Sequence, residues 1–213
     1  MIEIATTDLK SEEREAFVAA TDTGLWDLLL ASVVVLFAVA PLLSETLGDF
    51  WSSAVFIPFW IAIYLSARVV KDKLITPRVG NVRWGALRRS RLKRLGIAMV
   101  LVNVVAFGAG ILAHYKAEQG DYATWSFPVS FSLIVLVILS LAAYAVSIPR
   151  FFFYGLLLAI CPLAGELLFR EGLASHHGFP VVFGFASLLI ACIGFTKLTR
   201  IIMNGPPASV TNR

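Results

Sequence analysis

The sequence predicts an all-α, polytopic membrane protein, with six transmembrane helices paired as three hairpins and both termini cytoplasmic. Three observations predict it. The first is composition: 58% of the 213 residues are hydrophobic, 15% are charged, and the mean hydropathy is +0.81. A soluble domain is roughly 45–50% apolar and about 25% charged. The second is run length: six apolar stretches approach the roughly 20 residues needed to cross a hydrocarbon core about 30 Å thick. The third is charge placement: 16 of the 18 Lys and Arg residues fall on one side of that pattern. The positive-inside bias makes that side cytoplasmic. The same composition excludes disorder, a collagen-like fibre and a disulfide-stapled secreted module. Period-2 alternation is absent, so a transmembrane β-barrel is not supported.

Residues 1–24 read as a cytoplasmic segment. Within it, Leu9 to Ala20 fits a short amphipathic helix, with Ser11 as N-cap and Glu12, Glu13 and Glu15 in the first turn. The segment is too acidic, and the apolar run starts too late, for a cleaved signal peptide. The six-helix domain covers residues 25–198. Its spans run from Leu25 to Leu43, Phe50 to Val70, Leu95 to Tyr115, Phe127 to Ser147, Phe151 to Phe169 and Phe179 to Leu198. Trp26 and Asp27 fall at the cytoplasmic interface, and residues 199–213 form a cytoplasmic tail. Short connections leave no room for a folded soluble domain.

The spans contain few groups that do more than fill lipid. Pro41, Pro58 and Pro162 are candidate kinks. Ala106 with Gly110, and Gly155 with Ala159, are small pairs that let helix backbones approach. Asn103 is the amide within a span, a polar packing group expected to face the bundle. Cys161 and Cys192 lie inside spans and read as small buried side chains, not as a disulfide. Gly48-Asp49-Phe50 recurs as Gly120-Asp121-Tyr122, and Pro77-Arg78 as Pro149-Arg150, at a common offset of 72. Shared interface chemistry explains these matches better than internal duplication does. Span centres lack carboxylates, His and Lys, which weighs against an ion-coupled pump. A passive channel or small transporter, lined by Ser52, Asn103, Ser132 and Ser140, stays open as an alternative.

The most distinctive segment is the cytoplasmic connection 71–94. It carries Lys71, Lys73, Arg78, Arg83, Arg88, Arg89, Arg91, Lys93 and Arg94 against Asp72 alone, a local net charge of +8. Clustered bases beside a membrane bind anionic lipid headgroups, at roughly 1 kcal/mol per charge. These nine residues are therefore the candidate lipid- or partner-binding set. Nucleic acid is not expected, since Trp84 is the lone stacking platform in the segment. Thr76-Pro77 and Gly80-Asn81 predict that helix stops there, with Leu74-Ile75, Val79 and Val82 to Trp84 as short extended pieces of a surface hairpin.

The run TPRVGNVRW, followed by arginines, resembles the P-R-x-G-x-V loop of an uncharacterised group of bacterial multi-pass membrane proteins. GELLFREGLASHHGFP is similar to that group's connection between its fifth and sixth spans. The resemblance covers most of the chain from Leu25 to Lys197 and implies a bacterial cytoplasmic (inner) membrane, but no activity. A second, partial resemblance lies in Gly165-Glu166-Leu167-Leu168-Phe169-Arg170, similar to the E-E-x-x-x-R motif of CAAX-type intramembrane proteases. Glu166 and Arg170 match. Gly165 replaces the first glutamate, and the family's later F-x-x-x-H and H-x-x-x-N/D helices have no counterpart. The residues themselves read as an i,i+4 ion pair near the outer end of span five.

His114, His176 and His177 fall on the outer side without metal-ligand spacing on one helix, and His176 and His177 read as loop residues whose side chains diverge. The expected protein is therefore a non-enzymatic scaffold or accessory subunit, with no catalytic residue, metal or cofactor. Its expected partners are anionic lipid, a protein partner or a second copy. An intramembrane hydrolase is the least favoured alternative.

Overall fold

The structure is a computed structural model; it describes residues 22–76, 93, 96–98, 100–102, 104, 108, 125–146 and 148–204. Secondary structure among them is helical, with no strand. Among the described residues, five helices are long and apolar enough to cross a membrane: Leu25–Gly48, Phe50–Ile75, Ser126–Val146, Arg150–Arg170 and His176–Met203. The third sequence-predicted span lies mostly outside the described residues, and those described within it are helical. The chain divides into two compact units. One comprises residues up to Arg83 together with those from Ser187 on; the other is Trp84–Ala186.

The first unit opens with α1, Leu25–Ala54, and α2, Phe56–Val70. Glycine at position 48 adopts φ 77°, ψ 162°, which ends one span and starts the next with a single-residue break. That conformation suits a residue without Cβ. Pro41 is accommodated inside α1, and the Ser44 hydroxyl donates to the Pro41 carbonyl at 2.8 Å. Beyond α2 the chain continues as a π-turn, Lys71–Ile75, and Thr76 keeps helical angles directly before Pro77. This corrects the expectation of an extended Leu74-Ile75 and of a helix ending short of the proline. The wider π-turn supplies the reason: the Thr76 N–H bonds the Lys71 carbonyl five residues back, and its hydroxyl donates to the same oxygen at 3.0 Å. The Thr76 backbone is thus satisfied in the helical state that proline otherwise disfavours.

The second unit contains α3, Ser126–Val146; α4, Arg150–Arg170; a 3₁₀ turn, His176–Gly178; and the start of α5, Phe179–Asn204. Gly155 of α4 lies where an added Cβ would sit 3.0 Å from Leu139 Cβ, so a small residue lets α3 and α4 approach. Phe131 of α3 and Phe183 of α5 meet edge to face at 6.2 Å, and Phe183 is almost fully buried. Cys161 is buried on α4; its thiol donates to the Leu157 carbonyl at 3.3 Å. Cys192 is exposed on α5, which corrects the expectation that both cysteines are buried. Both are free thiols.

Outward faces of these helices are apolar. Leu133, Leu188 and Phe195 are each more than half exposed. A protein in water does not present contiguous surfaces of this kind, whereas lipid covers them without penalty. The described helices are those of a membrane-embedded protein.

Candidate functional site

Among the described residues, two places concentrate polar chemistry. One is the connection between α4 and α5. Glu166 faces inward from the last turns of α4 and is only 3% exposed. Its Oε1 accepts from Arg170 Nε at 3.0 Å, and its Oε2 lies 2.9 Å from His177 Nδ1. An ionised carboxylate only accepts, so Nδ1 carries the proton in this contact. Arg170 stands with its guanidinium carbon 4.6 Å from the Trp125 ring centre, and the His177 ring is 4.4 Å from that of Phe169. One buried carboxylate therefore ties a helix end, a loop histidine and two aromatic faces together.

The backbone of this connection is shaped to make the contact. His176, His177 and Gly178 have φ values of 50°, 52° and 66°. Two consecutive side-chain-bearing residues in the left-handed region cost about 1–2 kcal/mol each. The turn persists because Gly165 and Gly178 meet backbone to backbone: a Cβ on Gly178 would lie 2.5 Å from the Gly165 carbonyl oxygen. A Cβ on Gly165 would lie 2.6 Å from the His177 carbonyl oxygen. Position 165, where the CAAX-protease motif has its first glutamate, thus serves close packing. His177 is no free loop side chain: the turn aims it at Glu166, a contact that the sequence reading does not anticipate.

The other place is the start of α1 in the first unit. Gly24, at φ 81°, lies directly against the Gly194 carbonyl of α5. Asp27 is fully buried, and a Cβ on Gly194 would meet its Cβ at 2.9 Å. Trp26, its neighbour, is about half exposed. Lys197, one turn along α5, donates to Asp22 at 2.8 and 2.9 Å and acts electrostatically on Asp27. This cluster pins the N-terminal end of α1 to the C-terminal half of α5. Asp27, expected at the interfacial end of its span, is enclosed by protein there.

Of the candidate basic set, Lys71 and Lys73 are exposed on the π-turn and Lys93 is exposed on a helical residue. Arg78, Arg83, Arg88, Arg89, Arg91 and Arg94 lie outside the described residues, as does Asn103. No group of three or more His, Cys, Asp or Glu residues suited to a metal ion occurs among the described residues. No protein-family model matches the chain, and neither a curated protein nor a solved structure is detectably similar to it. The function is therefore argued from the residues alone.

Proposed function

We propose that this chain is a non-enzymatic integral protein of a bacterial cytoplasmic membrane, a scaffold or accessory subunit with both termini inside. Its basic segment, 71–94, holds anionic lipid headgroups or a partner that presents similar charge. One sequence observation carries the reading: with the six spans as the sequence predicts them, 16 of 18 Lys and Arg residues fall on one side, nine of them in this segment. Near an anionic leaflet each contributes roughly 1 kcal/mol. The exposed Lys71 and Lys73, carried beyond the apolar part of α2 on a π-turn, agree with that placement.

The arrangement around Glu166 argues against the hydrolase reading. Both carboxylate oxygens are engaged, one by Arg170 and one by His177, and the group is enclosed. The carboxylate is held between two cations or donors and lies away from water, which supports reading it as an anchor for the end of α4 and the His177 turn.

The test is replacement of Arg88, Arg89, Arg91, Lys93 and Arg94 by Gln. Phosphatidylglycerol co-purifying with the protein, and recovery of associated proteins, are measured against the unaltered chain. Both quantities are expected to fall. Unchanged lipid, unchanged recovery and unchanged membrane orientation would refute the proposal.

A further inference from the structure

Within the first unit, α1 and α2 do not close on each other along their whole length. Between them runs a groove of about 380 Å³, within the size range of ligand sites, roughly 300–1,000 Å³. On α2 it is lined at positions 59, 62, 63, 66, 67 and 70, and on α1 at 25, 28, 29 and 32, with Leu198 of α5 beside it. Each set repeats at three and four residues, so the lining is one stripe of each helix and the groove runs lengthwise. Ala62, Ser66 and Ala67 make room for it. From Phe59 to Val70, at 1.5 Å per residue, it extends about 16 Å. One leaflet of a bilayer core about 30 Å thick is about 15 Å deep. The walls are mostly apolar: nine of the eleven lining residues are hydrocarbon or aromatic, and of the two serines Ser32 turns its hydroxyl back onto the Leu29 carbonyl at 2.7 Å.

The two ends of the groove differ. Phe59 stands at the deep end. At the other, Val70 is followed within one turn by Lys71 and Lys73, both exposed. The Lys197 ammonium near this end is already engaged by Asp22. An apolar channel one leaflet long, parallel to the helices and opening beside two exposed ammonium groups, complements a single molecule: a phospholipid with an anionic headgroup. From these observations we infer that the α1–α2 groove holds one acyl chain of an anionic phospholipid, with its phosphate at Lys71 and Lys73. The assignment rests on the cytoplasmic placement of the basic segment proposed above, which makes this an inner-leaflet lipid.

The experiment uses the full chain in nanodiscs of phosphatidylcholine and phosphatidylglycerol at a three-to-one ratio. A trace of phosphatidylglycerol with a diazirine in one acyl chain is the probe, and crosslinked peptides are mapped by mass spectrometry. Crosslinks are expected to concentrate on the lining stripes of α1 and α2. They should fall at least fivefold in Ser66→Phe, which fills the groove from an exposed position. They should fall severalfold in the double variant Lys71→Gln/Lys73→Gln, which leaves the groove open and serves as the second variant should the first not fold. A phosphatidylcholine probe should label the stripes severalfold less. Labelling spread equally over the outward residues Ile57, Ile61 and Leu65 would overturn the inference. So would indifference to both variants, or capture of a second copy of the chain across the groove. The two proposals fail separately. Groove labelling that persists when the Arg88–Arg94 variants retain all their phosphatidylglycerol counts against the basic-segment reading alone. Indiscriminate labelling with headgroup preference intact counts against the groove alone.

Discussion

Removing a partner of the buried Glu166 should do more harm than removing its charge. Arg170 has a side chain 38% exposed and His177 one 60% exposed, while the Glu166 side chain is 4% exposed. When Glu166 becomes Gln, both partners turn to water or headgroups, and a neutral amide of the same shape remains inside; the cost is about 1 kcal/mol. When Arg170 becomes Met, an enclosed carboxylate keeps one partner of two. Stranding a buried charge completely costs about 3–5 kcal/mol. With His177 still at 2.9 Å, about 2–3 kcal/mol is the expected loss. His177→Ala should cost about 1.5–3 kcal/mol, as a hydrogen bond to a charged group. The decisive variant is Glu166→Gln/Arg170→Met, which should be more stable than Arg170→Met alone by about 1 kcal/mol, because the stranded charge is gone. Unfolding free energies in dodecyl maltoside, titrated with dodecyl sulfate and followed by tryptophan fluorescence, measure each term. If Glu166→Gln proves the most damaging single change and the double variant shows no recovery, the carboxylate is not the enclosed member of the cluster, and the reasoning fails.

Other expectations follow from the close contacts. Gly24→Ala should destabilise more than Gly194→Ala in the same titration, because position 24 adds a left-handed φ, at about 1–2 kcal/mol, to a clash with the Gly194 carbonyl. Equal tolerance of the two changes would contradict the contact. Gly155→Val should lower stability by about 1–3 kcal/mol through overpacking against Leu139, whose Cβ lies 3.0 Å from the nearest added atom; an unaltered melting profile would refute it. Lys197→Met should cost more than Asp22→Asn. The Asp22 pair is partly exposed and contributes about 0–1 kcal/mol, whereas Lys197 also acts on the buried Asp27. The reverse order, read as the difference in unfolding free energy, would remove Asp27 from the cluster.

Much of the helical framework was legible in the sequence because hydrocarbon leaves few options: an apolar run of about 20 residues must satisfy its own backbone, and a helix does so. The runs from Leu25, Phe50, Phe127, Phe151 and Phe179 accordingly appear as long apolar helices. Local exceptions were less legible. The helix up to Thr76 depends on a five-residue hydrogen bond that no propensity encodes. The site was legible only where it is local. Glu166 and Arg170, four apart on one helix, can be paired from spacing. His177, eleven residues on, reaches Glu166 only because Gly165 and Gly178 let two backbones touch, a long-range coincidence invisible in a single chain. The same holds for Gly24 with Gly194 and for Asp22 with Lys197. The only hints were glycines and charges without an evident local purpose.

The most direct measurement of the central claim, a membrane-spanning chain with its basic connector inside, is cysteine accessibility in intact cells. In a Cys161→Ala/Cys192→Ala background, Leu173→Cys marks the α4–α5 connection and Arg88→Cys the basic segment. An impermeant maleimide added to intact cells should label position 173 at once and position 88 only after the membrane is opened. Labelling of position 88 in intact cells, with position 173 protected, would contradict it.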